Sequence, residues 1–313
     1  MSDTAILLLA HGTPATLDDI PDYLRNVTSG RPIPAEGVEE IRHRYGLIGR
    51  SPLTDLTLEQ GRLLSESLGM PTYVGMRNWK PYIADVVKQM RADGIRAAVA
   101  ICLAPQNSRT SVGLYRRAVQ AEAGDLVIDF VEGWADHPLL ADAFADRLRP
   151  VLRQLTEETG LAVPVLFTAH SVPCRTVQTQ EKSGPDPYPV EAKRTAALVA
   201  ARIEGLKPEN WFFAFQSQGM SGGPWIGPTV EETLTAIYAS GHKSVVLQPI
   251  GFLCDHVEIL YDVDIAFRDF AAKLGLRLER PQSLNDSPLL TDALADLARQ
   301  GLKRLDSLQA MQD

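Results

Sequence analysis

The sequence predicts an α/β protein made of two similar domains, each a parallel sheet flanked by helices, facing one another across a cleft. Short aliphatic runs such as ILLLA (6–10) and AAVAIC (97–102) recur without the polar alternation of a half-exposed strand, as in strands buried on both faces. Amphipathic stretches long enough for helices separate them. The two halves also share punctuation. Ala10-His11-Gly12-Thr13-Pro14 closes the first strand, and Ala169-His170-Ser171-Val172-Pro173 closes the strand that opens the second half. In sheets of this kind ligands bind beyond the carboxyl ends of the strands.

In chain order, a strand over about 5–10 leads to a helix over 54–68 and a second strand over 72–76. Pro81 opens a helix over 81–93 that stops before Gly94, and strands follow over 97–103 and 126–131. A helix over 137–156 precedes the strand at 163–168, and a helix over 189–204 precedes the strand at 211–216. Pro228 then opens a helix over 229–240 that stops before Gly241, ahead of a strand over 244–248. The interval from proline to glycine is 13 residues in both halves, which strengthens the reading of a duplicated unit. The last helix, about 287–306, carries Leu290, Leu294, Leu297 and Leu305 on one face. The expected domains are 1–158 and 159–313, with the C-terminal helix a candidate to pack back on the first.

Composition narrows the function classes. The 313 residues include 31 Lys+Arg against 39 Asp+Glu, a formal charge of −8 that disfavours sequence-independent nucleic-acid binding. The aliphatic runs fall far short of the ~20 residues of a membrane-spanning helix. The N-terminus MSDTAILLLAHG has an acid where an export signal carries a base, so a cytoplasmic location is expected. Cys102, Cys174 and Cys254 are too scattered for a disulfide framework, a structural zinc site or an iron–sulfur cluster.

His170 and His11 occupy equivalent strand ends, where an imidazole can act as base or ligand; a capping or core role is the alternative for each. Facing across a cleft, the two would suit a borderline divalent metal. In PIGFLCDHVEILYDVD, Asp255, Glu258 and Asp262 fall at i, i+3 and i+7 on one expected helix face. They read either as a capping box with a solvated acid or as carboxylates kept ionised at a helix N-terminus for a cation. The Gly- and Pro-rich segment 216–228, with Trp225, lacks a nucleotide fingerprint and reads as a shaped wall or turn. IRHRYGLIGRSPL (41–53) gathers Arg42, Arg44, Tyr45, Arg50 and Ser51, either an exposed helix face or a dock for carboxylates.

Together these residues resemble the ferrochelatase family over nearly the whole chain. FTAHSVP (167–173) is similar to the family's His-Ser-Leu-Pro strand end. FQSQGMSGGPWIGP (215–228) is similar to its QS…PWLGP segment, and PIGFLCDHVEILYDVD (249–264) to its PxGFxxDHxExLYDxD signature. The resemblance implies two Rossmann-like domains of the chelatase type and insertion of ferrous iron into a porphyrin, with release of two pyrrole protons. It implies no redox cofactor and no iron–sulfur cluster. By carry-over, His170 and Glu258 are metal ligands and proton acceptors.

The segment 25–40, RNVTSGRPIPAEGVEE, is short and polar where protoporphyrin-using members carry an apolar lip. It is more similar to the monomeric Gram-positive type that metallates coproporphyrin III, and implies a transient hand-over of product to a downstream haem-pathway enzyme. In that subgroup Arg44, Tyr45, Ser51 and Tyr115 match substrate-contacting positions. Thr28, with Ser29, stands where an arginine pair is common and is kept as a candidate contact. His11 replaces the usual tyrosine near the metal and is expected to touch metal or porphyrin; its HGT context is similar to the sirohydrochlorin cobaltochelatases. Ala266 stands where a third acid is common beyond Glu258 and Asp262. A protoporphyrin ferrochelatase, a cobalt or nickel chelatase and a non-catalytic tetrapyrrole or metal carrier are the alternatives.

Overall fold

The computed structural model describes residues 3–178, 184–219 and 222–309. The chain forms two compact units, residues 1–134 with 285–313 and residues 135–284.

In the first unit β1 (Thr4–Ala10) is followed by helices α1 (Ile20–Val27), α2 (Ala35–Ile48) and α3 (Leu53–Leu68). Then come β2 (Thr72–Met76), α4 (Ile83–Ala92), β3 (Ala97–Cys102), α5 (Val112–Ala123) and β4 (Val127–Val131). The four strands are parallel, in the order β2-β1-β3-β4. Ala5 to Leu9 of β1 and Ala98 to Ile101 of β3 are completely buried, which is why neither strand alternates in polarity.

The second unit opens with α6 (Pro138–Thr159), whose proline occupies the first turn and whose C-cap Gly160 is left-handed. It continues through β5 (Val165–His170), α7 (Cys174–Val177), α8 (Tyr188–Ala200), β6 (Trp211–Gln216), α9 (Val230–Ala239) and β7 (Ser244–Pro249). A single turn, α10 (Val257–Leu260), passes into a π-helix (Asp262–Phe267), then α11 (Arg268–Leu274) and the short β8 (Arg277–Glu279). The sheet is again parallel, β6-β5-β7-β8. Substituting β5 to β8 for β1 to β4 reproduces the first order, so the duplication read from sequence extends to topology. It reaches single bonds: Met76 N–H donates to the Pro81 carbonyl (2.7 Å), and Phe215 N–H to that of Pro228 (2.8 Å). Each proline stands two residues ahead of its helix, not at its first position as the sequence reading had it.

The C-terminal helix α12 (Pro288–Gln309) returns to the first unit and packs on α3, β3 and β4. A Cβ at Gly301 would lie 2.5 Å from Val99 Cγ1 and 2.8 Å from Asp129 Oδ2, so only glycine permits the approach. Arg304 forks onto Asp129 at 2.8 and 2.9 Å beside it. The expected boundary at 158/159 is therefore replaced: the helix at 138–159 belongs to the second unit, and the last helix to the first. Among the described residues, no helix is long and apolar enough to cross a membrane.

Candidate active site

β5 ends at His170, whose backbone is fixed from both sides. Its carbonyl accepts a hydrogen bond from the buried Tyr188 hydroxyl (2.8 Å), and the next residue, Ser171, donates its N–H to the Gln216 carbonyl (2.6 Å). After β7 the chain turns back over this strand end. A Cβ at Gly251 would lie 3.0 Å from Ala169 Cα and Cβ, so the turn sits directly on β5. That approach brings Glu258, on α10, to His170: Oε1 lies 3.4 Å from His170 Nε2. The other carboxylate oxygen lies 3.4 Å from His256 Nε2, and His256 Nδ1 lies 3.0 Å from the Cys254 carbonyl.

Glu258 thus bridges two imidazoles. Its own turn is tied to the sheet, because Gln216 Nε2 donates to the Glu258 carbonyl (2.9 Å) while Gln216 Oε1 accepts from Thr168 Oγ1 (2.6 Å). The His170 ring packs near Trp225 and Phe252, with centroids at 6.5 and 6.2 Å, and Phe252 lies 4.6 Å from His256.

Burial opposes protonation of His170, but the charge and hydrogen bond of Glu258 outweigh it, helped by the Ser171 backbone, and its pKa is raised above 6.5. Burial likewise opposes ionisation of Glu258, yet the charge and hydrogen bond of His170 and the hydrogen bond of His256 hold it well below 4.5. Each shift favours the charged form of its group, and about a third of each side chain is open to solvent. Such a pair can release a proton as a cation arrives, exchanging a proton's charge for a metal's.

The other acids are disposed differently from the expected single face. Asp255 precedes the helix, whose N-cap is His256, and turns to Arg280 Nη1 (3.2 Å) and Ser283 Oγ (2.7 Å). Arg280 also forks onto Asp264 at 2.7 Å through two nitrogens, so Asp255 is part of a half-buried ion network. Neither the capping box nor the three-carboxylate face forms, because the helix starts after Asp255 and widens to π at Asp262. Asp262 is buried and accepts from the Ser217 hydroxyl. Among the described residues, no three His, Cys, Asp or Glu side chains converge where they could hold a metal ion. Part of the 216–228 loop, residues 220–221, lies outside the described residues.

At the matching strand end of the first unit, His11 Nε2 is 3.0 Å from the Tyr23 hydroxyl, and Asn78 Nδ2 is 3.1 Å from both ring nitrogens. Tyr23 stacks edge-on against Tyr45 and Trp79. Tyr45 and Ser51 are buried, and the Ser51 hydroxyl meets no protein hydrogen-bond partner among the described residues. Thr28 closes α1, donating to the Leu24 and Arg31 carbonyls. Arg44 pairs with Glu40 (2.8 Å), Arg42 with Asp18 (2.6 Å) and Arg50 with Asp55 (2.8 Å), all at the surface. Tyr115 lies in the core, where burial pushes its phenol up, with the Arg77 guanidinium carbon 5.5 Å from its ring centre. His11 therefore joins Tyr23 and Tyr45 in one cluster, whereas Thr28 is bonded within its own segment and Arg44 pairs with Glu40. His256, Gln216, Tyr188, Tyr23 and Asn78 were not singled out from sequence. Only His256 and Gln216 carried a signal, as members of the motifs around Glu258 and Trp225.

Comparison with known proteins places this geometry. A family model described as ferrochelatase matches residues 3–302. A ferrochelatase of Acidobacterium capsulatum is 68% identical over 316 residues, covering 98% of this chain and 97% of its own. A coproporphyrin III ferrochelatase of a Geobacillus species is 34% identical over 310 residues, covering 95% and 97%. Among solved structures, the sirohydrochlorin chelatase of Bacillus subtilis subspecies spizizenii, in complex with cobalt, shares the fold at 11% identity. Its TM-score is 0.53, over 97% of both chains. The match over residues 3–302 and the 68% identity to a ferrochelatase establish that this chain belongs to the ferrochelatase family.

Proposed function

We propose that this ferrochelatase acts on coproporphyrin III, inserting ferrous iron to give coprohaem, with His170 and Glu258 as the groups that receive the metal and the pyrrole protons. The reading of the reaction centre rests on one observation, the imidazole–carboxylate pair at 3.4 Å with a raised His170 and a lowered Glu258. Metallation replaces two pyrrole protons by one divalent cation. A neutral imidazole can ligate iron or accept a proton, and the carboxylate balances the incoming charge. The bridging His256 holds the second oxygen of Glu258, and so orients it.

The substrate reading is supported by the stretch between α1 and α2, where Ser29, Gly30, Arg31, Pro32 and Pro34 are exposed and form no apolar lip. Four propionates favour such a polar rim over the greasier edge of protoporphyrin. Arg44, Thr28, Tyr45, Ser51 and Tyr115 are assigned to porphyrin contact, and His11 to the metal or ring. The surface pair Arg44–Glu40 is weak enough for a propionate to replace it. Action as a monomer without a resident cofactor, in the cytoplasm, with product passed to a later haem-pathway enzyme, completes the proposal.

Anaerobic metallation with ferrous iron, offering coproporphyrin III and protoporphyrin IX separately, tests it by absorbance. Conversion of coproporphyrin in clear preference is expected. Preference for protoporphyrin would overturn the substrate while keeping the family.

A further inference from the structure

A second site of a different kind lies on α6. A pocket of about 480 Å³ is lined by Arg147, Arg149, Arg153, Asp146 and Gln282, among others, all within the second unit. Elsewhere on this helix Asp142 is engaged by Arg202, and Glu158 by Arg277 and Gln154. On other elements Arg42 is matched by Asp18 and Arg304 by Asp129. Among the described residues, the three arginines in the pocket meet no carboxylate in an ion pair. Arg149 reaches only the Arg202 carbonyl and Arg147 the Leu284 carbonyl, each at 3.4 Å. The Nε–H of Arg147 is buried and meets no acceptor among the described residues.

Three guanidiniums against the single Asp146 carboxylate leave two positive charges in a cavity of small-molecule size. A lone carboxylate brings one charge and two oxygens. A phosphomonoester brings roughly −2 and three acceptor oxygens, matching both the charge and the number of donor forks. We propose that this pocket binds the phosphate group of a small phosphomonoester, at a site separate from the His170–Glu258 pair.

Titration calorimetry of the full chain without iron, at constant ionic strength set with chloride, tests this with inorganic phosphate and phenyl phosphate as probes. One-to-one saturable binding of both is expected. It should weaken about tenfold in Arg149→Gln and in Arg153→Gln, the loss typical of one charge-assisted contact. Both residues are exposed, so the variants keep the fold; Arg299→Gln, on α12, should bind as the parent does, and all three should metallate porphyrin at the parental rate. Absence of saturable binding would overturn the proposal. So would binding that persists in both pocket variants, or heats that phosphate and benzoate produce equally.

Discussion

Replacing Glu258 by glutamine keeps the side chain's shape and removes its charge, so it isolates what the carboxylate does to His170. At 3.4 Å the Coulomb attraction is about 5 kcal/mol at an effective dielectric of ~20 and about 1.2 kcal/mol in water. With a third of each side chain exposed, the screened lower part of that range applies. Burial is the largest influence on His170; the Glu258 charge and hydrogen bond lead the effects that overcome it, ahead of the Ser171 backbone and the Asp262 charge. The imidazole pKa should therefore lie above 6.5 in the parent and be lower in Glu258→Gln. Proton NMR of the ring, followed against pH in the metal-free protein, reads this directly. In the parent, neutral imidazole increases as pH rises through the raised pKa, so the acid limb of metallation should lie above 6.5 as well. An unchanged His170 titration in the variant would refute the coupling, and with it the assignment of the pair as one unit.

Other perturbations probe the rest of the structure. His11→Tyr restores the residue usual in the subgroup and should keep metallation within about tenfold, the effect of ~1.4 kcal/mol; complete loss would mean that this chain depends on the imidazole. Gly301→Val forces α12 away from Val99 and Asp129 and should lower urea stability by about 1–3 kcal/mol, an overpacking cost. An unchanged midpoint would contradict the packing of the last helix on the first unit. Arg280→Met strands the Asp255 and Asp264 carboxylates and should cost about 3–5 kcal/mol, as breaking a buried ion pair does. Metallation by the surviving folded fraction should be near the parental level, since neither acid touches Glu258.

The parts of the fold that sequence revealed are those with strong local signals. Uninterrupted aliphatics marked β1 and β3, and the repeated Ala-His and Pro-to-Gly intervals marked the duplication, because strand ends and helix starts have fixed chemistry. The Arg277–Glu279 strand was missed because three residues carry no periodicity. The boundary was misplaced because a change from helix to strand near 160 says nothing about which sheet the helix covers. Gly301, invisible as a signal until Val99 is seen beside it, decides that for α12. At the candidate site, motifs single out His170 and Glu258, which the fold brings together, but spacing puts Asp255 on the wrong face. An i, i+3, i+7 rule presumes one regular helix, whereas this helix starts after its N-cap His256 and gives way to a π-helix at Asp262. Tyr23 and Asn78 lie 12 and 67 residues from His11, and only the folded sheet brings them to its ring.

Single-turnover anaerobic metallation of coproporphyrin III by His170→Ala, with porphyrin binding measured separately by fluorescence quenching, tests whether His170 and Glu258 receive the metal and the protons of the reaction. Binding within a few-fold of the parent and no detectable insertion are expected, since a metal ligand and proton acceptor are lost while the ring's other contacts remain. Insertion at a near-parental rate would contradict that role and move the chemistry to another strand end.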